Sequence, residues 1–149
     1  IAGYALDDSV CDGLDNDCDG STDEEVVLPA AAKTEGVCAG LTQVCDGVNG
    51  LREPDYLTVA DYSTSDSICD GLDNDCDGLT DEELGDAPIA DNQSGICAGA
   101  TKVCDGLSGW INPDYTALAG YSAADDICDG IDSNCNGVPD EDVSLPVAD

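Results

Sequence analysis

The sequence predicts a small fold, mostly irregular with some β-structure, built as an elongated tandem of disulfide-stapled repeats. In each repeat an acidic loop is followed by a short β-hairpin. Three observations carry this. All ten cysteines fall into C-x6-C pairs, an acidic string recurs three times, and the large apolar residues of a single core are scarce. There is no phenylalanine or methionine and one tryptophan; the hydrophobic residues are largely alanine, valine, cysteine and leucine. Small units of this kind usually need disulfides or metals to stay folded. Without them the charge balance favours disorder.

That balance is extreme. The chain has 34 acids against three bases (Lys33, Arg52 and Lys102) and a net charge of −31. Such a charge repels nucleic acid and anionic membranes, so the counter-ion is a cation or a basic partner. No stretch is long and apolar enough to span a membrane. Ten cysteines in one spacing point to an oxidising, extracellular setting, at the cell surface or secreted. Cytosolic zinc sites would favour CxxC pairs or histidines, and neither is present. With Ile1 first and no signal peptide, the chain reads as a processed or excised portion of a secreted protein.

The pairs are Cys11/Cys18, Cys38/Cys45, Cys69/Cys76, Cys97/Cys104 and Cys128/Cys135. The text between them repeats as well: IAGYALDDSVCDG, VADYSTSDSICDG and LAGYSAADDICDG align, as do GVCAGLTQVCDGVNG and GICAGATKVCDGLSG. Residues 1–58 form one repeat, 59–117 a second and 118–149 half of a third. The sequence stops where another GxCAG element would begin. It is either a window cut from a longer tandem or an array whose half-repeats meet other copies.

Within each full repeat, residues 36–52 and 95–111 read as a strand, a turn and a second strand. LTQVC and ATKVC have modest β-propensity, and Asp46-Gly47 and Asp105-Gly106 suit tight turns. Helix signals are weak, since Gly, Asp and Asn interrupt each window; at most a single turn follows Asp66 or Asp125.

The other module spans 11–25, 69–83 and 128–142. Asp15, Asp17 and Asp19 stand at positions 1, 3 and 5 of a loop, with Gly20 at 6 and Glu24 at 10. That is the first half of an EF-hand loop, shortened at its end. Alternate side chains of a tightly curled loop converge on one centre, and the glycine permits the bend. The carbonyl of Ser21 adds a ligand, Glu24 supplies two oxygens, and Asp23 or water completes the set. The second copy uses Asp73, Asp75, Asp77, Leu79 and Glu82. The third uses Asp132, Asn134, Asn136, Val138 and Glu141, with less charge and lower expected affinity. Hard oxygens in a flexible frame suit calcium over magnesium or transition metals, at about three ions per chain. Carboxylates forced so close repel one another without a cation.

For the disulfides the simplest assignment joins neighbours: Cys11–Cys18, Cys38–Cys45, Cys69–Cys76, Cys97–Cys104 and Cys128–Cys135. Each would pre-curl a loop or staple a hairpin, closing about eight residues for roughly 2–3 kcal/mol. A loop-to-hairpin bridge such as Cys18–Cys38 is the competing assignment, because spacing does not fix connectivity.

The string CDGxDNDCDGxxDE, spaced by GxC-x-x-G-x-x-x-C segments, resembles the metal-binding motif named after the methanotroph surface protein MopE. The resemblance covers most of the chain and implies tandem calcium loops in large secreted bacterial proteins. They are related to thrombospondin type 3 and short EF-hand-like groups, with Asp15, Asp17, Asp19, Glu24 and their counterparts as ligands. The founding protein is associated with copper, a role that transfers poorly. Copper(I) prefers Cys or Met and copper(II) prefers His, and this chain lacks His and Met. Trp110 is expected to pack on its hairpin.

Tyr4, Tyr62 and Tyr121 recur at one repeat position and Tyr56 and Tyr115 at another, as candidates for small inter-module cores. Asn92-Gln93-Ser94 is a glycosylation sequon. No pocket or triad suggests catalysis, so an enzyme is not expected. The expected function is an extracellular calcium-binding structural repeat, part of a stalk or adhesin or the subunit of a filament. Its partners are calcium and copies of itself or neighbouring repeats. The alternative is a surface protein that sequesters calcium or copper.

Overall fold

A computed structural model describes residues 4–144; the outermost residues of the first repeat (1–3) and of the third (145–149) lie outside it. The described regular structure is sparse. Two antiparallel ribbons form, β1 (Val44–Cys45) with β2 (Leu51–Arg52), and β3 (Val103–Cys104) with β4 (Trp110–Ile111). Val44 faces Arg52 and Cys45 faces Leu51; Val103 faces Ile111 and Cys104 faces Trp110. The expected hairpins are therefore present in shortened form. Each connection is a single 3-10 turn, Gly47–Asn49 or Gly106–Ser108, opened by the Asp-Gly pair. Upstream, the LTQVC and ATKVC segments pair with a second neighbour, through bridges Ala30–Thr42 and Ile89–Thr101. Trp110 is half-buried on its ribbon.

The single turns expected after Asp66 and Asp125 do not form; both residues lie in irregular chain. Their carboxylates accept distant backbone N–H groups instead: Asp81 donates to Asp66 at 2.7 Å and Asp140 to Asp125 at 2.8 Å. Asp23 donates to Asp8 in the same way, at 2.7 Å.

None of the five neighbouring disulfides forms. Cys11–Cys18, Cys38–Cys45, Cys69–Cys76, Cys97–Cys104 and Cys128–Cys135 are replaced by Cys11–Cys45, Cys38–Cys76, Cys69–Cys104 and Cys97–Cys135. Cys18 and Cys128 are exposed and unpaired. The loop-to-hairpin type of link is thus the one found, although Cys38 reaches forward to Cys76 and not back to Cys18. The reason is directional. A loop turns its first cysteine to the hairpin that follows it and its second to the hairpin that precedes it. Sequence separations of 34 to 38 residues close far longer loops than nearest-neighbour pairing. In the chain-entropy account that restricts the unfolded chain by about 4 kcal/mol per bridge.

The bridges organise two compact units, Ile1–Asp66 with Leu72–Glu82, and Ser67–Gly71 with Glu83–Asp149. They cut across the sequence repeats because each hairpin is bonded to two loops. The interior is cystine, alanine and carboxylate. Ala31, Ala90, Cys38, Cys69, Cys76, Cys97 and Cys135 are buried together with Asp8, Asp66, Asp73, Asn74, Asp75, Asp125 and Asp132. The tyrosines contribute less than a core would need. Tyr56 and Tyr62 stack with ring centroids 5.7 Å apart but stay half-buried, and Tyr4 is exposed.

Candidate metal centre

The three acidic loops share one hydrogen-bond scheme. In the first, Asp15 accepts from the backbone N–H groups of Asp19 and Gly20, at 3.2 and 3.0 Å. Asp17 accepts from Asp19 at 3.1 Å and Asp19 from Ser21 at 2.8 Å. In the second, Asp73 accepts from Asp77 and Gly78, Asp75 from Asp77, and Asp77 from Leu79. In the third, Asp132 accepts from Asn136 and Gly137, Asn134 from Asn136, and Asn136 from Val138. Each N–H uses one lone pair of its acceptor and fixes the rotamer, leaving the other lone pairs to converge.

The convergence is close. One oxygen from each of Asp15, Asp17 and Asp19 lies within 4.8 Å of the others, and Asp73, Asp75 and Asp77 meet the same condition. Glu24 joins the first group through Asp17, with Glu25 beside it. Asp23 does not complete this set. It sits at φ 58° and accepts from the N–H groups of Asp12 and Gly13, tying the CDG turn to the end of the loop. Asp140 does the same for Asp129 and Gly130.

The electrostatics separate the loops. Desolvation pushes the Glu82 carboxyl above its ordinary pKa; its own backbone N–H opposes this, and the charges of Asp77, Asp66 and Asp75 add to it. For Glu24 the largest single effect is its own backbone N–H, which lowers the value. Desolvation and the charges of Asp19, Asp17 and Asp8 together outweigh that, and the net shift is upward. Asp17 is raised by desolvation first, against a hydrogen bond from Asp19, with Asp19, Asp15 and Glu25 adding. Glu141 goes the other way. The Asn134 amide holds it low, at 2.6 Å, and Asn136 donates to the same oxygen. Loop three thus quenches its charge with amide donors, whereas loops one and two are left with mutual repulsion.

The hairpins cover two of these loops. Val37 donates its N–H to the carbonyl of Asp73 at 3.1 Å, and Ile96 to that of Asp132 at 3.2 Å. Lys33 reaches the carbonyl of Asp75 through Nζ. Gly36 and Gly95 lie so close to Asp73 and Asp132 that a β-carbon at either would collide with them. Asp73, Asn74 and Asp75 are accordingly 6 %, 2 % and 9 % exposed.

Among the described residues, three buried side-chain oxygens have no hydrogen-bond partner: Asp66 Oδ1, Asn74 Oδ1 and Asp125 Oδ1. A buried carboxylate oxygen without a donor is costly unless a cation satisfies it. Asp66, whose charge acts on Glu82, and Asp8, whose charge acts on Glu24, are candidates that the acidic strings alone do not disclose, with Asp125 at the matching position of the third repeat. Their signal was present, as an acid recurring three residues before Cys11, Cys69 and Cys128. Glu25, which accepts from the N–H of Asp8 at 2.8 Å, is a second addition.

A family profile, "Cu-binding_MopE: Putative metal-binding motif", matches residues 6–24, 62–82 and 118–141. Three stretches of the chain are thus similar to that motif. No curated protein and no solved structure matches it. Each MopE match begins upstream of the acidic string and so takes in Asp8, Asp66 or Asp125, while the hairpins fall outside it. The four cystines fit an oxidising, extracellular setting. Among the described residues no helix is long and apolar enough to cross a membrane.

Proposed function

We propose that this is an extracellular structural repeat protein whose acidic loops are calcium cages, with the ion supplying folding energy and stiffness and no catalysis. The observation that carries the reading is the second loop. There one oxygen from each of Asp73, Asp75 and Asp77 lies within 4.8 Å of the others, and the charges of Asp77, Asp66 and Asp75 all act on Glu82. Every donor is a hard oxygen, the kind calcium takes in sixes to eights. The profile's name points to copper, but eight of the ten cysteines are bonded as disulfides and the chain has neither His nor Met. Soft or imidazole ligands for copper are therefore not assembled. The sequestration reading would need ion loading that leaves the fold unchanged.

The residues that would hold the ion are Asp15, Asp17, Asp19 and Glu24, then Asp73, Asp75, Asp77 and Glu82, then Asp132, Asn134, Asn136 and Glu141. In the third loop the amides must first turn their oxygens inward, since both now donate to Glu141. Limited proteolysis with chelator and after calcium is restored tests the reading. We expect protection to collapse and return, with about three ions bound per chain. Unchanged protection in chelator would reject the structural role, and tight copper binding in competition with calcium would favour sequestration.

A further inference from the structure

Each hairpin makes two kinds of docking contact with acidic loops, and each kind also exists in an open form. The first kind joins the GxC end of a hairpin to the loop that follows it. Cys38 bonds Cys76 while Gly36 and Val37 close on Asp73; Cys97 bonds Cys135 while Gly95 and Ile96 close on Asp132. The matching face of loop one, around Asp15 and Cys18, has no such cover among the described residues. Cys18 and Asp15 are exposed where Cys76 and Asp73 are buried.

The second kind joins the VCDG end of a hairpin to the CDG turn of the loop before it. Cys45 bonds Cys11 and Cys104 bonds Cys69. A β-carbon on Gly13 would lie 2.7 Å from the Val48 nitrogen, and one on Gly71 2.6 Å from the Leu107 nitrogen. At the third CDG turn the same positions are open among the described residues. Cys128 is an exposed thiol and a β-carbon on Gly130 would meet nothing within 4 Å. A cavity of about 540 Å³ opens there, lined by Gly130, Ile131, Asp132 and Pro139 with Gly95 and Ile96.

We propose that these are two docking faces for further cysteine-bearing hairpins of the Gly36–Arg52 kind, and that each face selects a different cysteine of that hairpin. The face at Cys18 takes the GxC cysteine, and the face at Cys128 takes the VCDG cysteine. Shape argues for this occupant, because every surface element that the covered loops use is repeated at the open ones. Cys18 holds φ 63°, against 62° at the bridged Cys76 and Cys135, so its loop has the docked conformation before any partner arrives. The bond forms by exchange. The Cys18 or Cys128 thiolate attacks the hairpin sulfur held as a mixed disulfide, and the leaving thiol departs with the electron pair. The proposal is independent of which cation the loops hold.

The test uses the whole oxidised chain with calcium present and two synthetic peptides of residues 35–52. One carries Cys45→Ser and keeps the GxC cysteine; the other carries Cys38→Ser and keeps the VCDG cysteine. Each remaining thiol is activated as a thionitrobenzoate mixed disulfide, whose release gives the rate, and mass mapping gives the site. We expect the first peptide to couple to Cys18 about tenfold faster than to Cys128, and the second to reverse that preference, because docking raises the local concentration of the correct sulfur. Gly36→Val in the first peptide should erase its preference, since that approach tolerates no β-carbon. A glutathione mixed disulfide supplies the undirected ratio. Peptide ratios equal to the glutathione ratio would overturn the proposal, as would Cys18 joining Cys128 of another copy in preference to either peptide.

Discussion

Residues 11–24 and 69–82 differ at one position, Ser21 against Leu79, yet occupy different environments. Both loops build the same Asx turns and hold their second cysteine at a left-handed φ. In the second loop, Asp73 to Cys76 are buried under a hairpin bonded to Cys76. In the first, Asp15 and Cys18 face solvent. Loop shape is therefore local, written in ten residues of Asp, Asn and Gly. Burial is not local; it comes from a hairpin more than thirty residues away. The bridge does not curl the loop, because unbridged Cys18 curls the same way. It fastens a cover over a loop already made.

Breaking that fastening should have the largest effect. The double variant Cys38→Ser with Cys76→Ser is expected to lose about 4 kcal/mol of stability. Amide exchange at Asp73 to Cys76 should rise to the level of Asp15 to Cys18, with the exchange in the first loop unchanged. If the second loop stays better protected than the first, the Val37 N–H and the Lys33 Nζ on the loop carbonyls suffice, and the cystine is not the source of the difference.

The next test exchanges the buried acids. Asp66→Ala removes the acceptor of the Asp81 N–H in a wholly buried position. A loss of about 1–3 kcal/mol in the ion-free chain is expected from the stranded donor. Cation affinity at the second loop should fall in the same variant, measured by calorimetry, because the Asp66 charge acts on Glu82 and Asp66 Oδ1 has no hydrogen-bond donor. Asp8→Ala should weaken binding less, since both oxygens of Asp8 already accept hydrogen bonds. Equal losses of affinity would show that the unpartnered oxygen has no part in the site.

This comparison also explains what could be read in advance. Asp73, Asp75, Asp77 and Gly78 were legible because a curled loop carries its own geometry in its spacing. The hairpins were legible at their Asp-Gly turns, for the same reason. Cystine connectivity was not, because C-x6-C recurs in both modules and only the assembled chain decides which sulfurs face each other. Asp66 fell between the two cases. It recurs in phase with the cysteines, but its role emerges only when Asp81, fifteen residues later, folds back onto it.

The smallest expected effect concerns protons, and it sets loops one and two against loop three. Glu24 and Glu82 have raised pKa values, so the ion-free folded chain holds their protons more tightly than the unfolded chain does. Their contribution to stability is present below the ordinary glutamate value and is lost as pH rises through the raised one. Glu141 is lowered, so its contribution is present above the ordinary value and is lost as pH falls through its depressed one. A cation entering loops one and two must displace protons near the raised values, whereas loop three has none to release there. Calorimetric titration in buffers of different ionisation enthalpy, just above the ordinary glutamate range, should detect proton release that Glu24→Gln with Glu82→Gln abolishes and Glu141→Gln leaves intact. Release that survives the first pair would place the titrating carboxyls elsewhere, with Asp17, also raised, as the next residue to substitute.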